Sequence, residues 1–444
     1  MPTCNPLKSG QVDVFISCFF VLEERFFMAT LFINVSQKQA LTYAVFLVIY
    51  EFFTYIANDM VMPGMLKVVS EFHGLESSVA LSLTAYVAGG ASLQLFLGPL
   101  SDHYGRRPVM IAGAFFFFIC TVVIACSQTM DQFLVARFFQ GMGLCFIGVI
   151  GYATLQEIFS EMDAIRLIAV MANVAITAPL LGPLVGAIFV YYFNWRFIFV
   201  GIGLGALLAL WGISRYMPES VGQIRQDGTV IKRAPLGFRK IGTNYKDLLI
   251  NPTFILGSVA LGLVYLPCMS WIALSPVILV KGANMTIIEY GLWQIPVFMA
   301  YIFGNLWLHR MTRRGTVKKM ILVGSCFASI SMLVTYLLPA LMGQSFVWLM
   351  PGLIVYFFGI GIVAAPLNRL ILFSTPVSKG TASALSSMIS MSIQAIGIEV
   401  ANVIYTSHNN INLGFYCAVA AIVYVICLGG CFLTHHGEKK AAAY

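Results

Sequence analysis

The sequence predicts an all-α polytopic membrane protein with twelve transmembrane helices in two pseudo-symmetric halves of six. Three observations predict it. Of 444 residues, 59% are apolar and only 10% charged, with a mean hydropathy of +0.87, which leaves too few charges to cover a water-soluble surface. From Ala40 onward the chain divides into apolar runs of roughly 20 to 27 residues, the length a helix rising about 1.5 Å per residue needs to cross a hydrocarbon core about 30 Å thick. Lys and Arg are concentrated in alternate connections between those runs.

The spans are read at 40–62, 78–100, 108–128, 132–157, 165–191, 196–216, 252–280, 288–309, 320–342, 346–372, 381–405 and 412–434, each bounded by charge, Pro, Gly or Asn. Barrel strands are excluded, because they alternate over about ten residues and these runs are uniformly apolar. Residues 1–39 contain one apolar stretch, Val14 to Leu22, too short to span, and Glu23 and Glu24 stand where a signal-cleavage site needs small residues. They read as a cytoplasmic tail, with Met28 as an alternative first residue. Residues 218–251 are the most polar stretch and fall at the midpoint, so they read as a central loop joining a bundle at 40–217 to another at 252–434, with 435–444 a second tail.

Odd-numbered connections hold only Lys67, Arg196 and Lys281, whereas even-numbered ones hold clusters such as Arg106-Arg107, Lys232-Arg233, Arg239-Lys240, Arg313-Arg314 and Lys318-Lys319. Positive charge is retained on the cytoplasmic side, which puts both termini there, with an inner membrane as the expected location. The net charge of +8 therefore suits anionic lipid headgroups, and no nucleic-acid partner is expected. The ten cysteines form no CxxC pair, so neither a metal site nor a disulfide framework is indicated. No GxxxxGK[ST], HExxH or GxSxG pattern occurs, which argues against ATP use and against a membrane-embedded enzyme. No cofactor is expected, a proton gradient would supply the energy, and a monomer is the expected assembly.

An ionisable group at bilayer depth costs about 2.5 to 3.5 kcal/mol on insertion scales, so each one is a functional hypothesis. Glu51 and Asp59 lie in the first span, Arg137 in the fourth, Glu157 at its far end and Glu399 in the eleventh. The eight-residue spacing of Glu51 and Asp59 sets them about 80° apart around a helix and about 12 Å apart along it, facing one cavity at two depths. Asp59 and Arg137 fall at similar depth, where a charge-assisted contact between them is geometrically open. The functional reading is that the two acids exchange protons and meet a cationic or polar substrate, with Arg137 adjusting them. The alternatives are a static Asp59–Arg137 brace, a solvated Glu157 and a Glu399 that snorkels or pairs quietly.

Two segments concern motion. In Thr177-Ala178-Pro179-Leu180-Leu181-Gly182-Pro183-Leu184-Val185-Gly186, each proline removes a backbone donor, which predicts a bend and a hinge or seal, with close helix approach at Gly182 and Gly186. In the second loop the chain can stop at Gly98-Pro99, turn at Gly105 and restart at Pro108, leaving Asp102 to pair with Arg106 or Arg107 as a latch. A related basic stretch, His309 to Gly315, follows the eighth span.

The stretch Gly98-Pro99-Leu100-Ser101-Asp102-His103-Tyr104-Gly105-Arg106-Arg107-Pro108 resembles the loop signature of the major facilitator superfamily. Arg137-Phe138-Phe139-Gln140-Gly141-Met142-Gly143 resembles the fourth-helix motif of its proton-coupled members, and Gly182-Pro183-Leu184-Val185-Gly186 the fifth-helix motif of its antiporters. Leu47 to Met60 resembles the first helix of its bacterial multidrug and chloramphenicol-resistance exporters. The resemblance implies a drug:proton antiporter exporting lipophilic cationic and neutral small molecules by alternating access. A dedicated exporter or importer of one natural metabolite, such as a siderophore, is the alternative. It further implies Glu51, Asp59, Arg137 and Glu157 for proton coupling, and Tyr55, Asn58, Asp59, Met171, Cys268 and Met269 for substrate. Three departures stand out: His103 replaces a basic residue of the loop signature, Ala187 follows Gly186 where the motif has paired glycines, and the eighth-span copy lacks the acid.

Overall fold

The computed structural model describes residues 31–224, 230, 231, 233, 238–312, 316–405 and 409–441. The expectations for the first 30 residues, including Met28, and for Arg225, Lys232, Arg313 and Arg314, lie outside the described residues. The first half holds α1 (Gln37–Asp59), α2 (Met65–Glu71), α3 (Ser78–Ser92), α4 (Gln94–Tyr104), α5 (Arg106–Ala125), α6 (Met130–Gly141), α7 (Tyr152–Ile158), α8 (Glu161–Tyr192) and α9 (Arg196–Tyr216). A short helix, α10 (Phe238–Ile250), lies in the central loop. The second half holds α11 (Pro252–Pro276), α12 (Ile287–Met311), α13 (Val317–Met342), α14 (Met350–Leu372), α15 (Lys379–Tyr405) and α16 (Asn410–Ala441).

Each predicted span falls on a helix. Ten of the described helical stretches are long and apolar enough to cross a membrane, and the bent pair α3 and α4 makes an eleventh. Helix α8 occupies the fifth predicted span and runs through Pro179 and Pro183 as one element.

The helix ends follow local chemistry. Ser36 caps α1 by accepting from the Gln39 amide at 3.2 Å, and Thr286 with Glu289 forms a reciprocal capping box on α12.

Several boundaries differ from the sequence reading, four of them with a visible consequence. The second span is broken at Leu93 by a 43° bend. There the carbonyl of Gly89 accepts from the Ser92 hydroxyl at 2.7 Å, and that of Gly90 from the Gln94 amide at 3.1 Å and the Cys145 thiol at 2.9 Å, so side chains compete with the helical ladder. Helix α5 restarts at Arg106 rather than Pro108, because the Glu219 carboxylate caps its first amides. The first span continues outward through a 3₁₀ turn at Met62–Gly64 into α2, and α16 extends to Ala441, across most of the expected second tail.

The two halves share a packing device. A Cβ on Gly89 would fall on the carbonyl oxygen of Phe138, and one on Gly141 on that of Tyr86, so α3 and α6 touch main chain to main chain. In the second half the same reciprocity joins α12 to α14, with Gly304 against the Phe358 carbonyl and Gly361 against that of Tyr301. These are the second and fourth spans of each half, so the pairing repeats across the pseudo-symmetry. Between the halves, α3 and α4 pack on α15, and α8 packs on α12. At the end opposite the Gly98–Pro108 loop they are further fastened by Lys281 with Glu76, by the Asn402 amide donating to the Ser77 carbonyl at 3.1 Å, and by the Thr84 hydroxyl donating to Glu399 at 2.5 Å. Large apolar residues such as Phe197, Leu204, Trp211 and Ile426 are exposed on the outside, as a lipid-facing surface needs.

Candidate functional site

Both acids of α1 point inward, with Glu51 at 0% and Asp59 at 3% exposure. Glu51 accepts from the Tyr152 hydroxyl at 2.8 Å through Oε1, while its Oε2 has no hydrogen-bond partner among the described residues. Asp59 accepts from the Asn58 side-chain amide at 3.2 Å. Arg137 on α6 is fully buried at the same level and donates to the Ala57 carbonyl at 3.2 Å, to Gln140 Oε1 at 2.8 Å and to Asn58 Oδ1 at 3.0 Å. The direct Asp59–Arg137 contact expected from matching depths is therefore not made. Asn58 stands between them, taking the guanidinium with its oxygen and offering its nitrogen to the carboxylate.

The guanidinium is held by neutral groups elsewhere as well. It lies 4.5 Å from the centre of the Tyr86 ring, which presents its electron-rich face to the cation. Tyr86 is fixed by donating to the Thr54 carbonyl at 2.5 Å, and Gln140 by donating to the Thr121 hydroxyl at 2.9 Å. Four helices, α1, α3, α5 and α6, thus converge on one cation. The sequence reading missed Tyr86, Thr121 and Gln140 because none carries a charge.

The glycines of α8 explain why that helix carries its motif. A Cβ on Gly182 would come within 2.7 Å of Asp59 Cβ, and one on Gly186 would fall on the Met60 carbonyl oxygen. No larger residue fits either place without separating α8 from α1. Asp59 is therefore lodged between Asn58 on its own helix and the backbone of α8.

Residues of both halves approach the same point. Tyr55, Cys268 and Tyr290 all lie within electrostatic reach of Asp59, and Tyr55 is also within reach of Glu51 and Tyr301. Cys268 follows Pro267 inside α11, and its amide finds a partner in the Tyr356 hydroxyl at 3.1 Å. Met171 is buried on α8 and Met269 half-buried on α11. Tyr265 and Tyr301, which the sequence reading did not single out, face each other near Cys268 and Tyr55. The side chains placed near the two carboxylates, Tyr55, Tyr152, Tyr290 and Cys268, are aromatic and thiol groups, suited to an apolar body carrying a positive charge.

Glu157 is not part of this chamber. It lies at the far end of α7, where Arg106 donates to it at 2.9 and 3.4 Å and the Ser220 hydroxyl at 2.5 Å. Arg106 also reaches Asp102 at 2.6 Å and the Ser101 hydroxyl at 2.6 Å, so the predicted loop pair exists with Glu157 as its third member. Arg107 turns instead to the Ser214 carbonyl at 2.8 Å. Gly105 sits at φ +110°, where a side chain is strained, and a Cβ there would come within 2.5 Å of Glu219 Oε2. Gly98 and Pro99 lie inside α4, within one turn of Asp102.

Residues 47–398 match the Major Facilitator Superfamily. The chain belongs to the Major Facilitator Superfamily. Among its superfamily relatives, the Multidrug transporter MdfA of Escherichia coli O6:H1 (strain CFT073) is 45% identical over 363 residues, covering 82% of this chain and 87% of the relative. The Multidrug transporter MdfA of Yersinia pestis bv. Antiqua (strain Angola) is 44% identical over 368 residues, covering 83% and 88%. Superfamily structures share the fold at low identity. The human organic anion transporter MFSD10 gives a TM-score of 0.64 at 16% identity over 88% of this chain and 99% of that one, and a D-xylose-proton symporter gives 0.66 at 16% over 87% and 96%. Its apolar helices and its bacterial MdfA relatives together support a multi-pass protein of the bacterial inner membrane.

Proposed function

We propose that this chain is a proton-driven exporter of lipophilic cationic and neutral small molecules, working by alternating access with no cofactor, no catalytic chemistry of its own, and as a monomer. One observation carries the reading: two carboxylates of a single helix, Glu51 and Asp59, are buried with no Lys or Arg in ion-pair contact among the described residues. The 45% identity to proteins named as multidrug transporters supports it.

A carboxylate in such a place is most comfortable neutral, and either a proton or a bound organic cation can neutralise it. Competition for Asp59 is then the coupling: the arriving proton displaces the substrate, and the arriving substrate displaces the proton. Arg137 takes part through Asn58, whose orientation it fixes. Tyr55, Asn58, Met171, Cys268 and Met269 line the path of the substrate. The loop trio Asp102, Arg106 and Glu157 controls which end is closed. Both termini and the basic loops face the cytoplasm, and the two bundles at 40–217 and 252–434 rock about the chamber.

The test uses everted membrane vesicles holding a preformed proton gradient. Adding a lipophilic cation such as tetraphenylphosphonium discharges the gradient with the unaltered protein and leaves it intact with Asp59→Asn. Equal discharge by both proteins overturns the assignment.

A further inference from the structure

The carbonyl of Leu95 has no donor available from the fourth residue along its own helix, because that residue is Pro99, which has no N–H. A carbonyl left in this way inside a membrane protein must find another partner. The partner here comes from 150 residues away: the Tyr245 hydroxyl of α10 donates to Leu95 at 3.0 Å.

Helix α10 is otherwise attached to the second half. It packs on α11 and α15, and its Leu248 is fully buried. Only Asn251 separates it from α11, and that residue is itself pinned, accepting from the Phe254 amide at 2.9 Å and donating to the Ser374 carbonyl at 3.1 Å just ahead of α15. The Tyr245 bond crosses to the first half two residues beyond the Leu93 bend, on the segment α4 that bears Asp102 and leads into Arg106.

We propose that α10 is a strap across the loop end of the molecule and that Tyr245 is its catch, so that α4 and α15 separate only when the hydroxyl releases Leu95. The inference rests on the halves parting at this end, as the proposed cycle requires. It assigns Tyr245 a positioning role: the residue touches no substrate, and it biases the closed state by completing a backbone that Pro99 leaves incomplete.

The experiment measures a distance, so its failure is distinguishable from an error in the substrate or proton assignment. Spin labels are placed at Tyr104→Cys and Ser378→Cys, both exposed at this end, in full-length protein with Cys4, Cys18, Cys126, Cys326 and Cys427 changed to serine. Tyr245→Phe keeps the ring and removes only the hydroxyl. It is expected to raise the ratio of long to short distances by roughly threefold to tenfold, the worth of one hydrogen bond. Pro99→Ala restores an N–H for Leu95, and in that background Tyr245→Phe is expected to change the ratio less than half as much on a logarithmic scale. An unchanged ratio in Tyr245→Phe overturns the proposal, as does an equal change with and without Pro99.

Discussion

Arg137 meets Asp59 through Asn58, with 3.0 Å from the guanidinium to the amide oxygen and 3.2 Å from the amide nitrogen to the carboxylate. The amide thus stands between the two buried charges, hydrogen-bonded to each. Asn58→Ala removes the relay and leaves the buried guanidinium short of one acceptor, a cost of about 1 to 3 kcal/mol. The expected outcome is a lowered midpoint in thermal unfolding of the detergent-solubilised protein, together with weaker discharge of a proton gradient by substrate. Arg137→Lys is expected to fare no better, since an ammonium cannot reproduce the planar fork that reaches Ala57, Asn58 and Gln140.

Gly186→Ala puts a methyl group on the Met60 carbonyl, so α8 and α1 must separate. Transport by this variant is expected to fall at least tenfold. Gly201→Ala is the matched control, because nothing lies within 4 Å of its Cβ position in the exposed face of α9. There the same change is expected to leave transport intact and stabilise the helix by about 0.5 to 1 kcal/mol. Comparable transport in both variants would contradict the seal.

Glu219 reaches the start of α5 from the chain beyond α9, accepting from the amides of Arg106 at 2.9 Å and Arg107 at 3.2 Å. Glu219→Ala is expected to cost about 1 to 2 kcal/mol in unfolding, the usual worth of a helix cap. Glu157→Gln is expected to leave the proton-to-substrate ratio unchanged while slowing turnover. A changed ratio would return Glu157 to the proton path.

Thr84 and Glu399 join the halves at the other end, and Asn402 holds the second carboxylate oxygen at 3.4 Å. Thr84→Val and Glu399→Ala each break this tie. Combined, they are expected to increase cysteine-reagent access to Tyr55→Cys from outside intact cells no more than either does singly. Simple additivity would show that the two side chains act on separate contacts.

Much of the fold was legible in the sequence because lipid imposes a single rule: runs of about 20 apolar residues must be helices. The inward placement of Asp59 and Arg137 was legible for the same reason, since no lipid-facing position tolerates them. What escaped was the work of neutral groups brought together from afar. Cys145, 55 residues on, takes the Gly90 carbonyl beside the break in the second span, and no local pattern announces it. Asn58 was overlooked as the intermediary because reasoning from charge alone joins Arg137 to the nearest acid. Glu219 and Ser220 sit in a polar loop and gain meaning only from Arg106 and Glu157, more than 60 residues away. Helix α10 had a signal that went unused: Tyr245, Leu248 and Leu249 recur at helical spacing inside a stretch read only as a loop.

The reciprocal glycine contacts, Gly89 with Gly141 and Gly304 with Gly361, bring main chain directly onto main chain, so at those points no side chain stands between the helices to rearrange. Each pair of helices must travel as a unit, much as two planks glued face to face cannot slide. Positions away from those seams, such as Met269 or Tyr265, can change without separating either pair. Selection for new cargoes should leave those four glycines untouched.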